Sequence, residues 1–374
     1  MNFDFSDEQK QLQDQARRYL ADKCPPSAVR AVLEGDQSYD RDLWVGLGEM
    51  GFLGAAIPEA YGGVGLGHLE LCVIAEELGR AIAPVPVASS IYLAAEFLMA
   101  AGSEEQKLAW LPKLASGETI GTFAYGEGLG RVTEKSIKAS VSNGKLSGTK
   151  TPVADGEIAD VAVVAAREGG KASLFLVDLT GPGVTRTAVD SIDPTRGQST
   201  LTFQDAPAER LGAAGEGWRL AAEVMDRAAI LLAFEQVGGS DRALEMGRDY
   251  ALERMAFGRQ IGSFQAVKHM LADMYVSATL ARSNAYYGAW ALSTGSSELP
   301  VAAATARVSA TQSFQHCAKN NIQVHGGMGF TWAFDCHLYY RRSNGLALAL
   351  GSQSTWEDLL IDRLRQRNDA PAAA

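Results

Sequence analysis

The 374-residue chain carries 34 Lys and Arg against 44 Asp and Glu, a net charge of -10, with 47% hydrophobic and 21% charged residues. At roughly 100–200 residues per domain this length holds two or three packed domains, which excludes a peptide-sized binding module, and the composition excludes a disordered or fibrous chain. The acidic balance, with no long basic run, excludes nucleic acid as a ligand.

The chain opens on a helix signal, Ser6-Asp7-Glu8, followed by apolar residues in helical rhythm at Leu12, Ala16, Leu20 and Ala21. That is an amphipathic polar helix rather than an apolar signal sequence. The four cysteines (Cys24, Cys72, Cys317, Cys336) form no CxxC pair, so a reduced, cytoplasmic chain is expected. Breaks at Pro25-Pro26, residues 58–67 (PEAYGGVGLG), Pro84 with Pro86, and Pro112 divide the first third into short helices. The glycines at 63–67 lie between helices, not in a strand–turn–helix setting, so no Rossmann site is expected there.

From Ile120 the period shortens. Asn143-Gly144, within residues 139–146, predicts a two-residue hairpin turn, and β-like runs follow at residues 161–165, 173–177, 183–189 and 199–203. Between Pro207 and Pro300 no proline interrupts a sequence rich in Ala, Leu, Met, Glu and Arg, which predicts long helices. Residues 220–234 and 302–310 are apolar around most of the helix circumference, implying burial in a bundle or at a subunit interface, hence an oligomer. Apolar stretches such as 228–234 and 346–350 fall far short of the ~20 residues of a membrane span. The expected domains are helical (1–119), β (120–213) and a helical bundle (214–374), with a frayed tail at residues 371–374.

Five segments in this order, residues 47–67, 76–86, 102–123, 250–265 (YALERMAFGRQIGSFQ) and 323–331 (QVHGGMGFT), make the chain resemble the acyl-CoA dehydrogenase family over nearly its whole length. The resemblance implies a mainly α fold with N-terminal helices, a middle β-barrel-like domain and a C-terminal four-helix bundle, with FAD held between domains and against a neighbouring subunit. The implied activity is α,β-desaturation of an acyl-CoA thioester in fatty-acid or steroid side-chain β-oxidation: a carboxylate takes the α-proton and the flavin takes the β-hydride. Implied partners are the acyl-CoA substrate, a homologous subunit or a second copy in a dimer or tetramer, and an electron-transfer flavoprotein as one acceptor.

Residue by residue, the resemblance implies that Arg254, Phe257 and Gln265 reach the partner's FAD, a guanidinium being able to grip a pyrophosphate bidentately. Gln323, Gly326, Gly327 and Gly329 correspond to the loop that receives the adenine and pyrophosphate, and Gln353 to a further cofactor contact. The flavin-ring end departs from the pattern. The usual Thr-Glu-Pro-Gly run is here Tyr125-Gly126-Glu127-Gly128-Leu129, and after the matched Gly148-Thr149-Lys150 the usual Trp-Ile-Thr is Pro152-Val153-Ala154. The base departs too: Gly351-Ser352-Gln353 replaces a Glu-Gly-Thr triplet, and the alternative slot on the long helix falls at Ala228, followed by Ala229. Asp226 is the remaining acidic candidate there; Glu357 and Asp358 read as the polar face of the last helix. His316, His325, His337, Cys317 and Cys336 match no zinc spacing, so no metal is expected. The first expectation is an FAD-dependent acyl-CoA dehydrogenase with a substitute base. The alternative is a catalytically silent subunit that completes a homologous partner's FAD site.

Overall fold

The computed structural model describes residues 5–369; the tail at 371–374 expected to fray lies outside them. The first helix, α1 (Asp7–Lys23), is closed by a reciprocal cap: Ser6 Oγ accepts from the Gln9 N–H at 3.2 Å and Gln9 Oε1 from the Ser6 N–H at 2.9 Å. Then come α2 (Pro26–Glu34), α3 (Arg41–Glu49), α4 (His68–Arg80), the single turn α5 (Val87–Ser89), α6 (Glu96–Ala101) and α7 (Glu104–Ser116). Residues Ser90–Ala95, joining α5 to α6, wind as a fully buried π-helix that propensity does not signal.

The middle of the chain forms one eight-stranded sheet of β1 (Gly121–Ala124), β2 (Ser140–Ser142), β3 (Lys145–Ala154), β4 (Val161–Glu168), β5 (Lys171–Asp178), β6 (Val184–Val189), β7 (Gln198–Pro207) and β8 (Glu209–Leu211). Its order is β6-β7-β3-β2-β4-β5-β8, with β1 beside β4. Asn143 and Gly144 both have positive φ, +51° and +72°, as the turn between β2 and β3 requires. β1 and β8 carry no alternation for a sequence to show: β1 is buried at all four positions and β8 has three residues.

Helices resume with α8 (Gly217–Glu253), α9 (Gln265–Ser293), α10 (Leu299–His325), α11 (Cys336–Leu348) and α12 (Gln353–Asp369), with a small hairpin of β9 (Met255–Ala256) and β10 (Arg259–Gln260) after α8. No helix among the described residues is long and apolar enough to cross a membrane.

Packing groups these elements into two compact units. One gathers Val29–Leu71 and Pro84–Ala228, with Trp44, Leu47, Phe97, Phe123, Phe175 and Phe203 at its core. The other gathers the residues up to Ala28, Cys72–Ala83 and those from Ala229 onward, around Leu20, Phe234, Phe314 and Trp356. Within this second unit α4 and α8 cross on glycines: a Cβ on Gly79 would lie 1.9 Å from Glu235 O, and one on Gly238 1.9 Å from Glu76 O. Beside the crossing, the buried carboxylates Glu76 and Glu77 are met by Arg282 at 2.9 Å and Arg17 at 2.7 Å. Unmet, either charge would be strongly unfavourable in that interior.

Since the three atoms nearest a Cβ on Gly238, Glu76 O and C and Arg80 N, all belong to rigid backbone, Gly238→Ala is expected to cost about 3 kcal/mol, the upper end for overpacking. Urea unfolding of the purified chain measures it; a loss below about 1 kcal/mol would mean that the helices separate without penalty.

Candidate functional site

The end of α8 carries the first predicted group. The Arg254 N–H donates to Tyr250 O at 2.8 Å, closing the last helical turn, and Arg254 O accepts from the Ile261 N–H at 2.9 Å, closing the small hairpin. Met255 pairs with Gln260 and Ala256 with Arg259, so Phe257 and Gly258 form the two-residue tip at φ +53° and +78°. Phe257 is 95% exposed and stands edge-on to the Phe264 ring at 6.2 Å, a ring that Arg259 covers at 4.1 Å. A bulky residue in the left-handed region with its ring in solvent gains little from its own chain. Gln265, the first residue of α9, is also exposed.

The second predicted group lies at the end of α10. His325 is 6% exposed, stacks on Tyr250 at 4.1 Å and donates from Nδ1 to Asn321 O at 2.8 Å, and Phe334 meets both rings edge-on. Burial pushes the His325 pKa below the ordinary 6.5, against the opposing bond to Asn321, so the ring is neutral. This stack holds the ends of α8 and α10 together and so brings Arg254 and Gln323 to one end of the unit. Arg254, Gln265 and Gln323 are all exposed, and none has a side-chain partner among the described residues.

The glycines after His325 divide. Gly326 needs its left-handed φ of +60°, whereas Gly327 has no such φ and a Cβ there would meet nothing within 4 Å. Nothing within the chain demands glycine at 327; close approach of another molecule's oxygens to the backbone would. Gly329 is different: a Cβ there would lie 2.6 Å from Ile322 O, so packing within the chain already requires glycine at this position.

At the usual base position the chain makes a turn with Leu350 at φ +60° and Gly351 at +102°. The fully buried Arg307 fixes it, donating to Leu346 O and, at 2.7 Å, to Ala349 O, while Trp356 Nε1 donates to Leu350 O at 3.1 Å. The Gly351 N–H donates to Leu348 O at 3.2 Å, so it is spent within the turn. Gln353 is also engaged, donating to Glu357 Oε1 at 2.6 Å, and Glu357 accepts from Gln312 as well. Asp226 is 5% exposed in the first unit, and Ala228 and Ala229 are fully buried.

The two segments matched to a flavin-ring site, in the first unit, are bonded to each other. The Thr151 N–H donates to Gly126 O and the Gly128 N–H to Thr151 O, both at 2.9 Å. Lys150, fully buried in β3, reaches Glu127 Oε1 at 2.7 Å, and Glu127 also accepts from the N–H groups of Lys138 at 2.8 Å and Ala139 at 2.9 Å. Burial would raise the Glu127 pKa, but these bonds, led by Lys150, outweigh it and hold the carboxyl below its usual range; burial lowers the Lys150 pKa. Tyr125 stacks on Phe123 at 5.0 Å.

Sequence reasoning missed this pair because its partners are 23 residues apart. It also missed Glu96, fully buried after the π-helix and met by His68 at 2.7 Å and Arg227 at 3.2 Å. A cleft of about 350 Å³ lined by Trp110, Gly144, Leu176, Asp178, Pro207, Ala208 and Glu209 contains none of the predicted residues. Its carboxylates are engaged, Asp178 by Thr180 and Glu209 by Gln106, so it is not a site of this chemistry. Among the described residues no group of three or more His, Cys, Asp and Glu is placed to hold a metal ion.

The family model for the acyl-CoA dehydrogenase N-terminal domain matches residues 6–118, and that for the C-terminal domain residues 215–364. The Mycobacterium tuberculosis protein named acyl-CoA dehydrogenase IpdE2 is 33% identical over 347 residues, 92% of this chain and 94% of its own. Among solved structures, a chain of the ChsE4-ChsE5 complex from Mycobacterium tuberculosis matches with a TM-score of 0.89 at 30% identity, covering 100% of this chain and 100% of that one. A variant of the Tcur3481-Tcur3483 steroid ACAD matches at 0.89 and 32%, covering 97% of this chain and 99% of that one.

Two outcomes follow from the end of the bundle. Gly327→Ala, facing open space, should change unfolding free energy by less than about 0.5 kcal/mol, whereas Gly329→Ala should cost about 1–3 kcal/mol, read by urea unfolding. Because His325 is held neutral, its contribution to stability is full above pH 6.5 and is lost as pH falls through its lower folded value; an imidazole midpoint at or above 6.5 by NMR would contradict this.

Proposed function

The chain belongs to the acyl-CoA dehydrogenase family, oxidoreductases that act on a CH–CH bond, and we propose that it is the base-less subunit of a heteromeric member, completing the FAD site of a homologous, base-bearing partner. One contrast carries this reading. Arg254, Gln265 and Gln323 face outward unpartnered, while residues 126–128 and 150–151 are bonded to one another.

A dinucleotide fits the first group. Arg254 is free to donate a bidentate pair to a pyrophosphate, Gly326 and Gly327 leave the backbone open to its oxygens, and the two glutamines offer amides to the adenylate end. Phe257 supplies apolar contact to the partner at the same seam. The flavin, when bound, supplies the hydride acceptor for desaturation; this chain binds and orients its tail. The residues matched to the ring and to the base do not fit those roles. The Gly351 N–H is committed to Leu348, Gln353 to Glu357, and neither Ala228 nor Gly351 can take a proton. Likeness to a solved complex of two differently named chains and to a steroid enzyme supports a hetero-oligomer acting on CoA thioesters of bulky, steroid-derived acyl groups.

Purification of the chain alone and together with a co-expressed base-bearing homologue tests the proposal through flavin absorbance. The chain alone should hold little FAD and not be reduced by an acyl-CoA, and the complex should hold about one FAD per pair of chains. Arg254→Ala in the complex should weaken FAD binding about 10–100-fold, as loss of a charge-assisted pair does, with Arg254→Lys in between. A full complement of FAD on the chain alone, reduced by an acyl-CoA, would falsify the proposal. Gly351→Glu should not create activity in the isolated chain, because φ +102° disfavours any side chain there and the ring contacts are still missing.

A further inference from the structure

We infer that Trp332 is an aromatic platform on which the adenine of the dinucleotide tail stacks, and that through it this chain favours FAD over a flavin that lacks the adenylate. The assignment rests on the reading that this end of the bundle grips the partner's FAD, and adds one residue and one specificity to that grip.

Trp332 stands on the loop that carries the open glycines. Residues 326–333 leave α10 at His325 and return at Phe334; the two rings lie 5.5 Å apart and both meet Tyr250. Within the loop Gly326–Phe330 winds as a 3-10 turn, and the N–H and hydroxyl of Thr331 donate back to Met328 O at 3.0 and 2.8 Å. At about 2 Å per residue in such a turn, the path from Gly327 to Trp332 is on the order of 10 Å. A ribose puts a comparable gap between a pyrophosphate and its base.

A tryptophan carries a large apolar surface, yet this indole is 57% exposed and is nevertheless held in position. His337 meets it edge-on at 4.5 Å, and the Arg341 guanidinium sits over the ring at 5.8 Å; the two side chains are one turn apart on α11. A ring fixed from its own chain with much of its surface open is preorganised for stacking, because it has little freedom left to lose on binding. Phe330, two residues earlier, is the contrast. It is 82% exposed and has no ring contact among the described residues, so it fits loose apolar contact with the partner rather than a base platform. Arg341 also places positive charge beside the indole, where a polyanionic tail would lie. A flavin mononucleotide has no adenine and gains nothing from the platform.

Calorimetric titration of the flavin-free complex, this chain with its base-bearing homologue, with ADP and with inorganic pyrophosphate tests the assignment. Trp332→Ala should weaken ADP about 10–100-fold, as loss of a base–aromatic stack does, and leave pyrophosphate unchanged. Trp332→Phe should keep most of the ADP affinity, and Phe330→Ala should alter neither ligand. Arg254→Ala should weaken both, which separates the grip on the phosphates from that on the base. Reconstitution with FAD and with FMN gives a second readout, the preference for FAD falling in Trp332→Ala by the same factor. Undiminished ADP affinity in Trp332→Ala, or an equal loss of ADP and pyrophosphate, overturns the stacking role alone. A wild-type complex that binds neither ADP nor pyrophosphate overturns both this inference and the reading beneath it. Should Trp332→Ala fail to fold, NMR saturation transfer from the indole protons to the adenine of ADP in the wild-type complex decides the matter, and its absence overturns the inference.

Discussion

An ammonium group sealed from water must find a counter-charge inside the fold, and Lys150 imposes that demand at the middle of β3. Among the described residues Glu127, drawn in from the loop after β1, supplies it, and the carboxylate then gathers two N–H groups from the segment entering β2. The loop after β1 and strand β3 are thereby held to one another. The loop's shape follows from this one interaction more than from local propensity, since the loop contains three glycines at 126, 128 and 130.

The end of the helical bundle is organised in the opposite sense. There Tyr250, His325 and Phe334 are packed together, while Arg254, Gln265 and Gln323 have no side-chain partner among the described residues. An exposed aromatic at a hairpin tip and a glycine that its own chain does not require both make sense at a seam, where a second protomer supplies the missing atoms. The turn at Gly351 is firmly built, with a buried guanidinium on its carbonyls, yet offers no proton acceptor. That turn is rigid although it carries neither a carboxylate nor a free Gly351 N–H, a combination that the proposed subunit role accounts for.

Particular elements show how far the sequence could be read. The start of α1 at Ser6 and the Asn143-Gly144 turn were legible because each depends on residues within three positions of one another. The π-helix at Ser90–Ala95, the four-residue β1 and the three-residue β8 were not, because burial on every side leaves no periodicity to detect. Of the residues expected at the cofactor, the sequence could not separate Gly327 from Gly329, or Gln323 from Gln353. In each pair one member is committed within the chain and the other is open.

By itself, then, the sequence determined the order of helices and strands, the family, and the absence of a carboxylate from either usual base position, since these are properties of residue identity and short-range spacing. The tertiary structure alone decided which polar groups are already spent. Whether a donor is free depends on distances between residues far apart in the chain, such as Lys150 to Glu127 or Arg307 to Ala349, and desolvation makes such a bond obligatory only once the core has closed around it.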